Sequence, residues 1–183
     1  MRIDQLRKNY ELEVRWTAFP LHPETPEDGL TLEELFAGKP INIEKSMARL
    51  KQVADSLGLL LGERKKTYNS RLAQELAKWA ESKGKGDAFH EAVFRVYFAD
   101  GKNIARMEEL VAIAKSVGLS EREARSVLEL RTFKEVVDRD WARSRALGIT
   151  GVPTFMVDHQ AIVGFQPYEM LEQFLRNCGV KKR

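Results

Sequence analysis

The sequence predicts an α/β fold in which a long helical block interrupts a small α/β unit. Three observations lead to this prediction: apolar residues alternate over residues 12–16, helical periodicity dominates residues 31–147, and two short β-prone runs precede a closing helix. One helical block inserted into a small α/β unit is the simplest explanation of this order. We therefore expect one domain over 1–30 and 148–183, and an inserted helical domain over 31–147.

The N-terminal residues predict a helix followed by a strand. Ile3, Leu6 and Tyr10 are spaced i, i+3 and i+7, which places them on one face of a helix. In "ELEVRWTAF", Leu12, Val14 and Trp16 share one face of an extended chain. A loop with prolines at 20, 23 and 26 leads away from this predicted strand.

The central block predicts several helices with their caps. Thr31 and Glu34 have the spacing of a capping box, and Asn42 can cap a longer helix that stops at Gly58. Further capping boxes are predicted at Ser120 with Glu123 and at Thr132 with Glu135. The predicted apolar stripes are Met47, Leu50, Ala54 and Leu57; Leu72, Leu76 and Trp79; Phe89, Val93, Val96 and Tyr97; and Leu110, Ala114 and Val117.

The C-terminal residues predict a hairpin and a closing helix. "PTFMV" and "AIV" are β-prone runs joined by Asp158-His159-Gln160. Pro167 suits the first turn of a helix, and Gly179 lies beyond its end. The apolar face of this helix is predicted to contain Met170, Leu171, Phe174 and Leu175.

Composition excludes several classes of protein. The 30 basic residues mostly alternate with the 27 acidic ones, so they indicate solvated faces and argue against a nucleic-acid binder. No window approaches the roughly 20 apolar residues that span a bilayer, and the N-terminal residues contain no apolar signal core. With a single cysteine, the sequence is expected to be that of a cytoplasmic protein without a membrane or nucleic-acid partner.

Isolated reactive residues give no catalytic or metal site. Cys178 falls at the end of the closing helix, where the helix dipole does not favour a thiolate. His22, His90 and His159 have no partners at the spacing of metal ligands, so no metal is expected. Two carboxylate pairs are interpreted as solvated helix faces: Asp138 with Asp140, and Glu108 with Glu109.

The segment Gly151-Val152-Pro153-Thr154 is the strongest candidate for a binding site. A proline at the start of a strand donates no ladder hydrogen bond. If the Val152–Pro153 bond is cis, the backbone of Val152 can face an extended ligand; if it is trans, the proline simply starts an edge strand. The local sequence alone leaves both alternatives open.

Four segments of the sequence carry a family resemblance: "LGITGVPTF", "AIVGFQPYEMLEQFL", "TYNSRLAQELAKWAESKGKGDAFHEAVFRVYF" and "WTAFPLHP". They resemble the DsbA-like branch of the thioredoxin superfamily, above all FrnE-type dithiol oxidoreductases. The resemblance covers the chain from Ile3 onward and implies a thioredoxin-like (DsbA-type) α/β fold with a large helical insertion. It also implies that Pro153 is the family's cis-proline and that Gly151, Val152 and Thr154 bind substrate with it. Tyr68 and Asn69 match a family signature near the cleft.

The sequence departs from the family in one respect. The resemblance implies a first strand and a Cys-x-x-Cys, or a serine in some relatives, before the first helix, and neither is present in these residues. We therefore expect the thioredoxin-like domain to be incomplete, the chain to be N-terminally truncated, and no catalytic residue to lie within it. Two alternatives remain: the strands close into a smaller sheet, or a strand of another molecule fills the gap.

Three functions are consistent with these residues. The first is a FrnE-like thiol–disulfide oxidoreductase, inactive as this chain alone, which acts on a thiol or disulfide substrate. The second is an enzyme similar to 2-hydroxychromene-2-carboxylate isomerases or kappa-class glutathione transferases, with glutathione as co-substrate. The third is a non-catalytic module that binds an extended peptide. The sequence leaves a homodimer open.

Overall fold

The computed structural model describes residues 2–183, which form nine helices and four short strands. The predicted α/β class with a large helical insertion is confirmed. In chain order the elements are α1 (Arg2–Asn9), β1 (Leu30–Thr31), α2 (Leu32–Leu35), α3 (Ile43–Ser56), β2 (Lys66–Thr67), α4 (Arg71–Ser82), α5 (Gly86–Phe98), α6 (Met107–Ser116), α7 (Glu121–Glu129), α8 (Lys134–Ala146), β3 (Thr154–Val157), β4 (Gln160–Val163) and α9 (Tyr168–Asn177).

The described residues fall into two compact units. The terminal unit contains residues 2–21 and Asp140–Arg183, and the helical unit contains His22–Arg139. The predicted domain limits, 1–30 with 148–183 and 31–147, stay a prediction.

The terminal unit is held together by the two ends of the chain. Leu6 and Tyr10 pack against Leu171 and Leu175 of α9, and all four side chains are buried. Their burial confirms the apolar stripe predicted for α1 and the positions Leu171 and Leu175 predicted for α9. Met170, also predicted for the apolar face of α9, is 50% exposed, so that part of the prediction is wrong. The backbone adds to this contact, because Tyr10 forms an antiparallel bridge with Lys182.

The hairpin follows the prediction, except that Gln160 lies in β4 and not in the connection. β3 and β4 pair antiparallel, with Thr154 opposite Val163 and Val157 opposite Gln160. Asp158 and His159 form the connection, and Asp158 takes the left-handed conformation with φ 53°. Aspartate is one of the few residues with a side chain that tolerate this conformation in a turn.

The strand predicted over residues 12–16 is wrong. The exposures of residues 11–18 do alternate between exposed and half-buried, as the sequence indicated, but within residues 2–183 no strand pairs with this segment. Alternating exposure shows only which side chains are covered by the rest of the protein. A strand additionally needs a neighbouring backbone to bond with.

The helical unit has one main core, built by α4 to α7. Its most deeply buried members have no exposed surface: Leu76, Ala80, Phe89, Leu110, Ala114 and Ala124. A two-residue antiparallel pairing of β1 with β2 lies outside this helical core and was not predicted.

The helix caps follow the prediction at Thr31 and Asn42 and in part at Ser120, where one of the two hydrogen bonds of the predicted capping box forms; the prediction fails at α8. Thr31 and Glu34 form the complete capping box, Asn42 accepts from the N–H of Lys45, and Ser120 accepts from the N–H of Glu123. The capping box predicted at Thr132 is absent, because α8 begins only at Lys134. Arg131, with φ 52°, reverses the chain directly after α7, and the N–H of Thr132 bonds back to Val127.

A buried ion cluster connects three parts of the helical unit. Glu75 on α4 has no exposed surface and accepts from Arg71 Nε at 2.5 Å. Arg131 binds both of its oxygens, at 2.7 Å each. Arg71 continues to Asp138 on α8 at 2.8 Å. The cluster therefore fixes the turn after α7 and the start of α8 onto α4.

Candidate functional site

The loop Gly151–Thr154 enters β3 and is fastened on both sides of Val152. The Val152–Pro153 peptide bond is cis. On one side Thr154 Oγ1 donates to the carbonyl of Gly151 at 2.7 Å. On the other side the N–H of Gly164 donates to the carbonyl of Pro153 at 2.7 Å. These two bonds fix the backbone around Val152.

Val152 itself is open to a ligand. Its side chain is 49% exposed, although it is an apolar residue in a defined loop. Within the described chain, neither its N–H nor its C=O bonds to another protein group. One donor and one acceptor on a fixed backbone are what an extended peptide needs for pairing.

The end of β4 next to this loop carries exposed apolar side chains. Val163, opposite Thr154, is 59% exposed, and Phe165 is 58% exposed. The guanidinium of Arg2 lies 4.1 Å from the centre of the Phe165 ring and also donates to the carbonyl of Gln166 at 2.7 Å. The loop is therefore flanked by apolar surface that a substrate side chain can cover.

Tyr68 and Asn69 lie in the helical unit. The amide of Asn69 donates to the carbonyls of Pro23 and Thr25, at 3.1 and 2.8 Å, and its oxygen accepts from the N–H of Arg71 at 2.9 Å. Asn69 therefore ties the proline loop to the start of α4. The Tyr68 ring covers Gly29, where a Cβ would come within 2.5 Å of the ring. The ligand role of this pair stays a prediction.

The cysteine and the histidines have ordinary surroundings. Cys178 is half-buried and caps the C-terminal end of α9. Burial, followed by the charge of Lys39, lowers the pKa of His22, which packs edge-on against Phe36. Among residues 2–183, no three side chains of the metal-binding types come together. Over the same residues, no helix is long and apolar enough to cross a membrane.

The interpretation of Asp140 as part of a solvated helix face is wrong. It is only 4% exposed, and its Oδ2 accepts from the N–H of Ala18 at 2.9 Å. Its other oxygen lies 3.9 Å from Arg15. Asp140 thus holds the segment that leaves α1. No local signal could have revealed this, because donor and acceptor are 122 residues apart.

Comparison with known families decides the classification. The model of the DSBA-like thioredoxin domain matches residues 1–176, nearly the whole chain. The chain belongs to the DSBA-like thioredoxin family. This agrees with the resemblance carried by the Gly-Val-Pro-Thr-Phe and Gly-Phe-Gln-Pro pieces.

One curated protein and several solved structures are similar to most of this chain. The uncharacterised protein YwbO of Bacillus subtilis is 26% identical over 182 residues, which cover 96% of this chain and 86% of YwbO. A probable DsbA oxidoreductase of Streptomyces coelicolor superposes with a TM-score of 0.78 at 28% identity, over 87% of this chain and 72% of that one. A 2-hydroxychromene-2-carboxylate isomerase shares the fold, with a TM-score of 0.72 at 18% identity, over 97% and 85% of the two chains.

Proposed function

We propose that this chain supplies the substrate-binding side of a FrnE-like thiol–disulfide oxidoreductase. The observation that carries the proposal is the fixed loop Gly151–Thr154, which leaves the N–H and C=O of Val152 unbonded within the described residues. Membership of the DSBA-like family supports it. In this proposal the Val152 backbone pairs with an extended substrate that carries a disulfide, and the apolar surface at Val163 and Phe165 receives its side chains.

In this proposal the reacting thiol is not supplied by these 183 residues. Thiol–disulfide exchange needs a thiolate that attacks one sulfur of the substrate disulfide and releases the other as a thiolate. The sequence contains one cysteine, Cys178, placed at a helix C-terminus. That end does not stabilise a thiolate. A protein dithiol or glutathione then supplies the attacking group, in the cytoplasm, and the 183-residue chain alone does not turn over substrate.

Binding at Val152 can be tested directly by NMR. We expect a short extended peptide with one cysteine blocked as a methyl disulfide to shift the amide resonances of Val152 and Thr154. Val152→Pro removes the N–H and should weaken binding about fivefold or more, because the peptide loses one hydrogen bond. Val152→Ala keeps the N–H and is the matched control, with nearly unchanged affinity.

The spectrum of Val152→Pro also shows whether the variant folds. If it does not, the shifts in the unsubstituted chain still test the site. Peptide-induced shifts that avoid the loop would contradict the proposal, as would equal binding by folded Val152→Pro.

Activity provides the second arm of the same test. We expect no reduction of insulin by the 183-residue chain, and turnover that survives Cys178→Ser would show that another group carries the chemistry.

The intact mass of the protein from its native source, compared with 21.0 kDa, shows whether a Cys-x-x-Cys accompanies these residues in one polypeptide. A peptide-binding chain without any partner dithiol would instead favour a non-catalytic module.

A further inference from the structure

A polar cavity of the helical unit lies beside the pairing of β1 with β2. Its volume is about 410 Å³, which is within the usual range of small-molecule sites. The residues that line it come from three segments that are far apart in the sequence: Asp28, Lys66, Tyr68, Asn103 and Arg106. The cavity therefore exists only in the folded helical unit.

Hydrogen bonds of the backbone and of Asn103 hold the walls of this cavity. Lys66 lies on β2, which pairs with β1 just after Asp28. The amide of Asn103 donates to the carbonyl of Glu27 at 2.9 Å, and its oxygen accepts from the N–H of Ala105 at 2.9 Å. The segments that carry the charged side chains are thus fastened to one another around Asp28.

The charges of the cavity are only partly matched by one another. Lys66 Nζ donates to the backbone carbonyl of Asp28 at 3.1 Å, and within residues 2–183 it forms no ion pair. Nη2 of Arg106 lies 3.8 Å from Oδ1 of Asp28, which is beyond hydrogen-bond distance. One carboxylate thus accompanies two cations, which leaves one positive charge unbalanced in the cavity.

Tyr68 adds a hydroxyl group to this charged surface. Its ring packs on Gly29, where an added Cβ would lie 2.5 Å from the ring, so the ring is held beside β1. Across the part of the chain that the structure describes, its hydroxyl forms no hydrogen bond. The hydroxyl can therefore donate to a carboxylate that the two cations attract.

We propose that this cavity binds a free α-amino acid through its charged head group. The ligand carboxylate binds Lys66 and Arg106, and the ligand ammonium group binds Asp28. In an α-amino acid the two charged groups are attached to the same carbon atom. A guanidinium and a carboxylate that lie 3.8 Å apart can therefore each receive the opposite charge of one ligand. Asp28 would instead repel a simple anion.

The site is open to solvent, so binding is expected to be weak. The side chains of Arg106 and Asp28 are 62% and 86% exposed, and water and salt screen their charges. The inference does not depend on the proposed oxidoreductase function, and it gives the predicted ligand role of Tyr68 a stated chemistry.

NMR titrations with three matched compounds test the head group. L-phenylalanine carries both charges, hydrocinnamate lacks the ammonium group, and phenethylamine lacks the carboxylate. We expect L-phenylalanine to shift the amide resonances of Lys66, Tyr68 and Arg106, with a dissociation constant of about 1 mM at low salt. The other two compounds should bind at least about fivefold more weakly. Equal binding of either one, or an absence of L-phenylalanine shifts at the cavity, would overturn the proposal.

Substitution of the two cations tests how the carboxylate is held. Lys66→Gln and Arg106→Gln should each weaken L-phenylalanine binding about fivefold, because the carboxylate loses one charged partner. Lys115→Gln is the matched control, with affinity expected to be unchanged. Lys115 is 68% exposed on α6, pairs with Glu121 and is not among the residues that line the cavity. Losses as large for the control as for the other two variants would contradict the assignment.

Asp28→Asn should change the affinities for two of the compounds in opposite directions. We expect L-phenylalanine to bind about threefold more weakly, because its ammonium group loses the carboxylate. Hydrocinnamate should bind about threefold more tightly, because the repulsion is removed. Changes of the same sign for both compounds would refute the role of Asp28. Circular dichroism shows whether each variant folds, and the comparison of the three compounds on the unsubstituted chain does not depend on any variant.

Discussion

Replacing Glu75 by glutamine is expected to lower the free energy of unfolding by about 3–5 kcal/mol. The carboxylate has no exposed surface, and it receives hydrogen bonds from Arg71 and from both donor positions of Arg131. Glutamine keeps the shape of the side chain but removes the charge that offsets two guanidinium groups. Chemical denaturation followed by circular dichroism measures the loss.

The matched control is Glu108→Gln. Glu108 also binds an arginine through two 2.7 Å contacts, to Arg125, but its side chain is 74% exposed. Water already solvates this pair, so we expect no measurable change in the unfolding midpoint. Equal losses for the two variants would show that burial does not determine the effect of Glu75.

The stability lost in Glu75→Gln is expected to depend on pH. Burial acts to raise the pKa of Glu75, but the hydrogen bonds and charges of Arg131 and Arg71 outweigh it and hold this pKa below the ordinary value of 4.5. The stability that Glu75 contributes is therefore present above about pH 4.5 and is lost as the pH falls through its lowered value in the folded state. The difference between the native chain and Glu75→Gln should shrink in acid. A difference that grows in acid would contradict the stated direction.

Phe89→Ala is expected to cost about 3–5 kcal/mol, because it leaves a cavity in the main core of the helical unit. Phe89 has no exposed surface, and its helix α5 packs against α4 and α6. Phe94→Ala, on the same helix, is the control. Phe94 is 46% exposed, so we expect a loss under about 1 kcal/mol. Urea midpoints of the two variants give the comparison, and similar losses would contradict the assignment of Phe89 to the core.

Local signals in the sequence were sufficient for much of the fold. The cap at Asn42, the hairpin around Asp158 and the burial of Leu171 and Leu175 on α9 each depend on residues a few positions apart, and the structure shows all three. The loop at Pro153 was singled out by its own residues, but they left its cis or trans bond open, and the cis bond was implied by the family resemblance. Backbone preference and side-chain period are properties of short segments, so a single sequence displays them.

Features that join distant segments were missed or misread. Leu12, Val14 and Trp16 have strand period, yet no described strand pairs with them. The hydrogen bond from Ala18 to Asp140 joins positions 122 residues apart, and no local pattern in a single sequence indicates that they meet. The left-handed Arg131, which binds Glu75, likewise displaced the predicted cap of α8. Such contacts form only when distant segments meet in the tertiary structure, so local sequence patterns do not predict them.

The bridge between Tyr10 and Lys182 also sets an order of events during translation. Residues 22–139 form the helical unit from one uninterrupted stretch, so they can fold as soon as that stretch has left the ribosome. Helix α1 and Tyr10 cannot do the same, because the buried Leu6 and Tyr10 pack against α9, and Tyr10 pairs with Lys182 beyond it. Leu6 and Tyr10 remain without these partners until α9 has been synthesised. Helix α1 thus becomes native only after the helical unit that follows it in the sequence.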